Sequence, residues 1–547
     1  MVITTAKKLS TTKKVVAPVV GIGYETHLTL SKLEIVARED APARLHQNAK
    51  KAMDRSWVFL DDAIHSRMPI YGLTTQFGDQ VTMIEKNLLN ADENHLRETL
   101  KERQTNLVIS HHTGIGEEMP EEVVRATMLL RAHCLALGYS GVRPIVAQTL
   151  LDFLSSRIHP VVRRYGSIGA SGDLLPLAAI AAALAGQKTD VMFTGLRMNA
   201  PEAISKAHLH PIAFEGREGL ALINGTSFMT ALAGLAFMDL ERLFSSMLSA
   251  IAMSLEALRV IGSSYEPIVH HLKHHKGAQE INAFLGKFWL GSRLIRNLET
   301  VRAGTLHDLN GEGKPEHAGG LQDYYSLRAV PQGFGTFHEN LSQAKIWIEN
   351  EMNAVSDNPI IDVRQKAVHH CANFMGYYIV EASDILKMDI AQASAWIHAL
   401  LANLVHPRKN FGLPSNLVER PDMYNGFRPL QLLAAALTVQ NRKFAQIHQS
   451  FMLPTEGDNQ DVNSLGTHAA FDLREAVKNL ERLTAILLLA SAQALELRGI
   501  EKAGSEARRI HKIIRSVSPF INADRIFSAD IDAVIGLIKG GEFRMRQ

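Results

Sequence analysis

The stretch Leu483-Thr-Ala-Ile-Leu-Leu-Leu-Ala-Ser-Ala-Gln-Ala-Leu-Glu-Leu497 carries apolar side chains on more than one face of a helix. Such a helix buries its surface on several sides, so it belongs at the centre of a bundle or at a subunit interface. The stretch therefore predicts a helical bundle. It also makes oligomerisation an expectation on physical grounds.

Other segments show apolar residues at helical spacing, and few show the alternation of strands. Ser31-Lys-Leu-Glu34 resembles a capping box that opens an early helix, and Pro120 followed by two glutamates opens another. The predicted fold class is mainly α, a long-helix bundle with a smaller N-terminal mixed region. The predicted long helices are Glu121 to Leu137, Val146 to Ser156, Met229 to Ile261, Phe337 to Met352, Ile379 to Leu404, Leu430 to Gln449 and Leu473 to Arg498.

The length of 547 residues suits one large unit or two fused ones. The sequence shows no internal repeat and no low-complexity linker. We place a boundary near residue 215, where the Pro/Gly-containing stretch after Gly186 gives way to long helices. The predicted domains are 1–215 and 216–547.

The composition excludes several classes of partner. With 58 basic and 56 acidic residues the net charge is +2, which gives no footprint for nucleic acid or an anionic membrane. The two cysteines, Cys134 and Cys371, lie far apart and favour a reducing compartment, so a cytoplasmic location is expected. Polar residues interrupt the apolar run Leu220 to Met238, which we interpret as a buried core helix. The ligand is therefore predicted to be small.

The segment Gly166-Ser-Ile-Gly-Ala-Ser-Gly-Asp-Leu-Leu-Pro-Leu-Ala178 contains a tripeptide that can react with itself. If a tight bend brings the amide nitrogen of Gly172 onto the carbonyl carbon of Ala170, a five-membered ring closes. Loss of two waters then leaves a methylidene from Ser171. Gly172 suits this reaction because it has no Cβ to block the approach. The alternative is a plain loop into a helix, with Ser171 or Asp173 as its cap.

Eight motifs occur in order along nearly the whole chain. They are Tyr71–Gly78, Asn106–His111, the Ala-Ser-Gly segment, Gly219–Ser227, Gln322–Arg328, Asp357–Pro359, Asn373–Phe374 and Asn459–Gly466. Together they resemble the aromatic amino acid ammonia-lyases, the family of histidine, phenylalanine and tyrosine ammonia-lyases and related aminomutases. Among these the chain looks most similar to bacterial tyrosine and phenylalanine enzymes.

The resemblance implies a prosthetic group and an assembly. The group is 4-methylidene-imidazol-5-one (MIO), formed autocatalytically from Ala170-Ser171-Gly172 and held by the N-terminal domain together with a catalytic lid loop. The assembly is a homotetramer whose active sites each draw residues from several subunits. The implied activity is that of a carbon–nitrogen lyase acting on an aromatic amino acid.

The resemblance also implies catalytic roles. Tyr71 matches the base that removes the β-proton, and Tyr325 matches a tyrosine that polarises the substrate or relays protons. Asn224 would hydrogen-bond the cofactor carbonyl or the substrate carboxylate, although a buried capping residue is the plainer interpretation. Arg328 matches the residue that binds the carboxylate, a task that suits the fork of a guanidinium. Tyr325 and Arg328 are spaced to share one helix face.

The remaining predicted site residues surround the substrate. Phe374 would pack near the methylidene, unless it is an ordinary core residue. Glu456 and Gln460 fit the Glu-x-x-Asn-Gln-Asp pattern of the phenylalanine branch, where the glutamate sits near the substrate amine. His111 occupies the position that contacts the substrate ring.

The substrate is predicted from conflicting motifs. The Ser110-His111 pair is familiar from histidine ammonia-lyases and from some bacterial tyrosine enzymes, whereas Asn459–Gly466 and Asn224–Ser227 resemble the phenylalanine/tyrosine branch. A neutral His111 can pair with a phenolic hydroxyl. We therefore expect L-tyrosine, with L-phenylalanine as a second substrate, giving p-coumarate or cinnamate.

Alternatives to this activity stay open. They are an aromatic 2,3-aminomutase, which uses the same residues, and a histidine ammonia-lyase that produces urocanate. Gln76, Cys371 and Met375 depart from the family pattern beside the predicted pocket and leave room for an unusual substrate. The cluster His270–His275 lacks cysteine or acidic ligands at recognised spacing, so no metal is predicted.

Overall fold

The computed structural model describes residues 18–81, 92–309 and 321–545. They fall into two compact units. The first contains the residues up to Gly166, Leu174–Asn224 and Asp357–Asn373; the second contains Ser167–Asp173, Gly225–Ser356 and the residues from Phe374. The chain thus passes from the first unit to the second after Asn224, and the domain boundary near residue 215 stays a prediction.

The first unit is mixed. Its helices are α1 Leu30–Arg38, α2 Gln47–His65, α3 Glu93–His111, α4 Glu121–Ala136, α5 Pro144–Ser155, α6 Leu174–Leu184, α7 Ala200–Lys206 and α8 Glu218–Ile223. Its strands are β1 Val20–Ile22, β2 Ala43–Leu45, β3 Ile115–Glu118, β4 Ile158–Pro160, β5 Arg163–Tyr165, β6 Asp190–Phe193, β7 Leu196–Asn199, β8 Ile360–Asp362 and β9 Ala367–His369.

These strands form small sheets and no extended one among the described residues. β1 pairs in parallel with β2, with Val20 opposite Ala43. β4, β6 and β7 form an antiparallel sheet in that order, while β3 pairs with β5 and β8 with β9, both antiparallel. The β8–β9 hairpin ends at His369 and leads directly into His370 and Cys371.

The start of α1 differs from the prediction. The helix begins at Leu30, and the side chain of Thr29 caps it by accepting the N–H of Lys32 at 3.3 Å. The predicted capping box of Ser31 and Glu34 is therefore wrong, because Ser31 already lies inside the helix. The start of α4 is confirmed, since Pro120 precedes Glu121 and Glu122 in its first turn.

The second unit is helical. Its helices are α9 Ser227–Ala257, α10 Pro267–His271, α11 Lys276–Phe288, α12 Leu298–Leu309, α13 Tyr325–Arg328, α14 Val330–Met352, α15 Tyr377–Val405, α16 Arg428–Phe444, α17 Gly466–Arg498, α18 Ser505–Arg515 and α19 Ser528–Lys539. Together the two units confirm the mainly α fold class.

The centre of this unit is α17, the helix that contains the stretch Leu483–Leu497. It packs against α9, α15, α16 and α19. Every residue from Leu483 to Leu495 is buried. The helix is apolar on several faces because neighbours surround it, which confirms its place in the centre of a bundle.

Two predicted helices end earlier than expected. α9 ends at Ala257 rather than Ile261, and Arg259 adopts a φ of +52° that a right-handed helix excludes. α16 ends at Phe444 rather than Gln449, because the chain beyond it turns so that the N–H of His448 donates to Asp384 at 2.8 Å.

The apolar run from Leu220 to Met238 is divided between two helices. α8 ends at Ile223 and α9 begins at Ser227, and the residues of the run inside both helices are buried. Across the described ranges, no helix is both long and apolar enough to cross a membrane.

Candidate active site

Tyr71 lies in a turn of the first unit, and its backbone N–H and its side-chain hydroxyl are both hydrogen-bonded. Its backbone N–H donates to Nε2 of His370 at 3.1 Å. Its hydroxyl accepts the N–H of Gly78 at 3.0 Å. An N–H donor stabilises negative charge on the oxygen that it faces, so this contact suits a tyrosine that works as a base.

Gln104 on α3 is hydrogen-bonded to the same turn. Its amide Nε2 donates to the carbonyl of Gly72 at 3.0 Å, and its Oε1 accepts the N–H of Leu220 at 2.8 Å. Gly72 has a φ of +69°, and a Cβ there would lie 2.3 Å from Leu220. The turn therefore needs glycine and is fixed to both α3 and α8. No sequence motif marks Gln104; its one signal is a polar residue on the apolar face of a helix.

His111 is the last residue of α3. Its Nδ1 lies 2.8 Å from the carbonyl of Leu107 and 3.2 Å from the hydroxyl of Ser110. A carbonyl can only accept, so Nδ1 carries the proton and Nε2 of the neutral ring is an acceptor. His111 thus presents an acceptor to a partner at Nε2.

Asn224 ends α8, and its Nδ2 donates to the carbonyl of Asn358 at 3.1 Å. Its Oδ1 is buried and has no hydrogen-bond partner among the described residues. The same Asn358 carbonyl accepts from Arg217, whose guanidinium forms a fully buried two-pronged pair with Asp357 at 2.8 and 2.9 Å. The Asp357–Pro359 motif is therefore a rigid support for Asn224.

Two of the departures from the family pattern lie nearby. The N–H of Cys371 donates to Oδ1 of Asn358 at 2.8 Å, so the backbone there serves the same support. Gln76 is half-buried in the Tyr71 turn. Met375, the third departure, is half-buried in the second unit.

The Ala-Ser-Gly segment belongs to the second unit, although the sequence suggested an N-terminal location. Gly172 has a φ of +69° and pairs with Gly225, whose carbonyl oxygen would lie 2.2 Å from any Cβ at position 172. The backbone therefore requires glycine there. Ala170 is only 5% exposed. The small residues on both sides of Ser171 and the left-handed backbone of Gly172 fit a tripeptide that must cyclise.

Asp173 anchors the segment. Its Oδ2 accepts the N–H groups of Phe228 and Met229 in the first turn of α9, at 3.0 and 2.8 Å. Its Oδ1 accepts the hydroxyls of Ser167 and Thr467 at 2.9 and 2.6 Å. Complete burial nevertheless raises the pKa of Asp173 to about 6. These contacts explain why residues 167–173 group with the helical unit.

A second buried carboxyl group, that of Glu351, interacts with the charge of Asp173. Glu351, near the end of α14, accepts the hydroxyl of Thr226 at 2.5 Å. Burial raises the pKa of Glu351 to about 7, and the charge of Asp173 contributes in the same direction. Glu351 was not predicted from the sequence, although it stands just ahead of the Asp357 motif.

Ser171 has a side-chain partner from the Asn459–Gly466 motif. Gln460 Nε2 donates to the Ser171 hydroxyl at 3.0 Å, and Gln460 Oε1 accepts the hydroxyl of Thr455 at 2.8 Å. The structure thus brings a predicted substrate residue onto the residue predicted to form the prosthetic group. Thr455 was not found from the sequence.

Arg328 and Tyr325 share the four-residue helix α13, as their spacing predicted. The guanidinium lies over the Tyr325 ring, 4.8 Å from its centroid, and Nη1 donates to Oε1 of Gln322. Nε of Arg328 is buried and, within the described part of the chain, has no acceptor. A buried N–H without an acceptor suits the binding of a carboxylate.

Two further predicted residues lie in the second unit. Phe374 is half-buried in the turn before α15. Glu456 is exposed and has a φ of +50°, four residues before Gln460. Their predicted roles remain predictions.

The histidine cluster shows no metal geometry. His270 is buried, and its ring nitrogen Nε2 lies 3.1 Å from the carbonyl of Ser264. Over residues 18–81, 92–309 and 321–545, no group of three or more histidine, cysteine, aspartate or glutamate side chains is placed to hold a metal ion.

The chain is similar in sequence and in fold to known proteins. A sequence model described as aromatic amino acid lyase matches residues 28–516. A histidine ammonia-lyase of Geobacillus sp. (strain WCH70) is 36% identical over 94% of this chain and 95% of its own length. The phenylalanine aminomutase of Pantoea agglomerans superposes with a TM-score of 0.88 at 29% identity, covering 96% of this chain and 100% of that one. The tyrosine aminomutase of Streptomyces globisporus gives 0.87 at 30% identity, covering 96% and 97%.

The fold and these comparisons define a carbon–nitrogen lyase. The chain belongs to the aromatic amino acid lyase family. The expectation of L-tyrosine receives less support than the alternative of L-histidine, because the similar curated relative is a histidine ammonia-lyase.

Proposed function

We propose that this enzyme eliminates ammonia from L-histidine to give urocanate. The observation that carries the proposal is the 36% identity to a histidine ammonia-lyase over nearly the whole chain. The ring of His111 is compatible with this substrate, because its Nδ1 proton is held by the Leu107 carbonyl at 2.8 Å. The acceptor Nε2 that remains can receive the N–H of a substrate imidazole.

A lyase or 2,3-aminomutase acting on L-tyrosine is the second candidate. The acceptor Nε2 of His111 can equally receive a phenolic O–H, and the Asn459–Gly466 motif resembles the phenylalanine/tyrosine branch. Two structures of similar fold are aromatic aminomutases. L-Phenylalanine fits His111 less well, because its ring offers no hydrogen-bond donor.

We also propose that Ala170-Ser171-Gly172 forms the methylidene-imidazolone. The left-handed φ of Gly172 supports this proposal, because ring closure needs a residue without a Cβ at this position and the backbone of Gly225 leaves no room for one. Once formed, the group supplies a carbon electrophile that the twenty side chains lack. Asp173 is the side chain that would hold it, since its carboxylate fixes the end of the segment to the first turn of α9.

The other residues bind the substrate and move its proton. Arg328 would bind the carboxylate through its unpaired Nε, with Tyr325 stacked on the guanidinium. Tyr71 would remove the β-proton, and the N–H of Gly78 would stabilise the charge on its oxygen. Asn224 would offer its amide to a polar group of the bound state. These roles follow the family pattern and remain part of the proposal.

The test is an equimolar mixture of L-histidine, L-tyrosine and L-phenylalanine with the purified enzyme, with products identified by mass spectrometry. We expect urocanate. Formation of p-coumarate or a β-amino acid in its place would reject histidine in favour of the second candidate. Ser171→Ala should fold and lose activity, and full activity in this variant would exclude the prosthetic group.

We further propose a homotetramer in the cytoplasm. The helix α16 exposes apolar side chains, among them Leu432, which is 71% exposed, Leu433 and Val439. Surface of this kind suits contact with other copies of the chain. The chain has only two cysteines, far apart in sequence, which suits a reducing compartment. Native mass spectrometry tests the tetramer directly.

A further inference from the structure

Gln460 lies between Ser171 and Thr455 and is hydrogen-bonded to both side chains. Nε2 donates to the Ser171 hydroxyl at 3.0 Å, and Oε1 accepts the Thr455 hydroxyl at 2.8 Å. All three residues belong to the second unit.

The backbone holds Thr455 and Gln460 in register. The N–H of Thr455 donates to the Gln460 carbonyl at 3.1 Å, and the N–H of Gln460 returns a bond to the Thr455 carbonyl at 3.2 Å. This pairing places the Thr455 hydroxyl beside the end of the Gln460 amide. Because that hydroxyl donates to Oε1, the N–H₂ end of the amide points at Ser171.

We infer that Thr455 and Gln460 assist the maturation of the Ala-Ser-Gly segment, with Gln460 as hydrogen-bond donor to the leaving hydroxyl of Ser171 and Thr455 as the residue that orients it. The inference rests on the proposed function, since it concerns formation of the proposed prosthetic group. It gives Gln460 a task before any substrate binds.

The step can be written with its atoms balanced. After ring closure between Gly172 and Ala170, the first water leaves from the ring. In the second dehydration the Cα–H bond of Ser171 breaks and its electron pair forms the Cα=Cβ double bond. The Cβ–Oγ bond breaks with its pair on oxygen, and the oxygen takes up the proton and leaves as water. Gln460 donates a hydrogen bond to this oxygen and is not consumed.

The surroundings explain why a fixed donor is useful. Ala170 and Gly172 are buried and Ser171 is half-buried, so bulk water has restricted access to the departing oxygen. A preoriented N–H group stabilises developing negative charge without first having to reorganise. Charge develops on Oγ only while the Cβ–Oγ bond breaks, so the donor acts on that step.

The test follows maturation by the intact mass of freshly synthesised chains sampled over time. Gln460→Glu keeps the shape but replaces the donor with an acceptor, and should slow maturation by about tenfold or more. Thr455→Val keeps the volume but frees the amide to turn, and should slow it by roughly threefold. Thr455→Ser keeps the hydroxyl and should mature like the wild type.

The masses also separate this role from a structural one. We expect both slow variants to accumulate a chain that has lost one water. Ring closure and the first dehydration proceed in these variants, whereas the second dehydration is slow. Folding of each variant is checked by its thermal midpoint. Maturation of Gln460→Glu at the wild-type rate, or of Thr455→Val without delay, would overturn the inference, and so would accumulation of the unreacted mass alone. A wild-type chain that loses no water would instead reject the proposed prosthetic group itself.

Discussion

Asp173 and Glu351 are two buried carboxyl groups of the second unit whose charges interact. Burial raises the pKa of Asp173 to about 6. Burial also raises the pKa of Glu351 to about 7, with a contribution from the charge of Asp173. The pair thus holds protons at a pH where exposed carboxyl groups have lost them.

The first prediction concerns the pH dependence of stability. A carboxyl group with a raised pKa binds more protons in the folded state, so its contribution is full below the unfolded pKa and is lost as the pH rises through the folded one. For Glu351 the window runs from its usual 4.5 to about 7. Glu351→Gln should remove this loss and stabilise the protein at pH ~8 by about 3 kcal/mol relative to the wild type.

Thermal midpoints at acid and mildly alkaline pH measure this effect. Glu349→Gln is the matched control, because Glu349 lies on the same helix and is half-buried. This variant removes one carboxylate from the same helix and so controls for the loss of a charge alone. Equal pH slopes for Glu351→Gln and the wild type would show that Glu351 does not change charge in this window.

The second prediction concerns the contacts of Asp173. Removal of its carboxylate in Asp173→Ala leaves the N–H groups of Phe228 and Met229 without the acceptor they use now. Each buried unpaired group costs about 1–3 kcal/mol, so for two such groups a loss of at least about 2 kcal/mol is expected. Glu241→Gln is the control. Glu241 lies on α9, the helix whose first turn Asp173 binds, but it pairs with Lys345 at the surface. Its loss should cost at most about 1 kcal/mol.

The bundle could be predicted from sequence because burial leaves a periodic signal. The stretch Leu483–Leu497 is apolar on several faces, and the structure surrounds it with four helices. The pairing of Tyr325 with Arg328 was also predictable, since residues three apart share a helix face. Both features depend only on the spacing of residues along one helix.

Long-range polar contacts leave no such signal. Asp173 was expected, in the plainer interpretation, to cap its own helix, but its carboxylate binds the start of α9 and Thr467. Thr455 and Gln460 are close in sequence, yet their link to Ser171 depends on tertiary structure. Gln104 stands out in sequence as a polar residue on an apolar helix face, but its two partners, Gly72 and Leu220, depend on tertiary structure.

The third prediction concerns Arg328. Arg328→Lys keeps the charge but loses the planar fork and the stacking on Tyr325. We expect KM for the amino acid to rise roughly tenfold or more, with a smaller change in kcat. Steady-state kinetics measure both. Arg302→Lys, at an exposed position of α12, should leave them unchanged. An unchanged KM in Arg328→Lys would remove Arg328 from carboxylate binding.

The fourth prediction concerns the ring position. His111→Leu removes the Nε2 acceptor and should lower kcat/KM for L-histidine and L-tyrosine by about tenfold or more. Turnover of L-phenylalanine, whose ring has no donor, should fall less or rise. His95→Gln, at an exposed position of the same helix, is the control. Equal losses for all three amino acids would show that His111 does not read the substrate ring.

The last prediction concerns His448, which lies in a buried charged cluster on the chain leading to Glu456 and Gln460. Its Nδ1 lies 3.1 Å from Asp384 and 2.6 Å from Lys387, and its Nε2 lies 3.3 Å from Asp472. Burial lowers the pKa of His448, but hydrogen bonds to the two aspartates outweigh burial and raise it overall.

A histidine with a raised pKa contributes stability that is full below its unfolded pKa of about 6.5 and is lost as the pH rises through the folded one. His448→Gln cannot take up this proton. Its thermal midpoint should therefore lie below that of the wild type at a pH under about 6.5, and the difference should shrink as the pH rises through the folded pKa of His448. This window begins at a higher pH than that of Glu351, so the two variants report on separate groups. A constant difference between His448→Gln and the wild type at every pH would mean that the cluster holds His448 by packing and neutral hydrogen bonds alone.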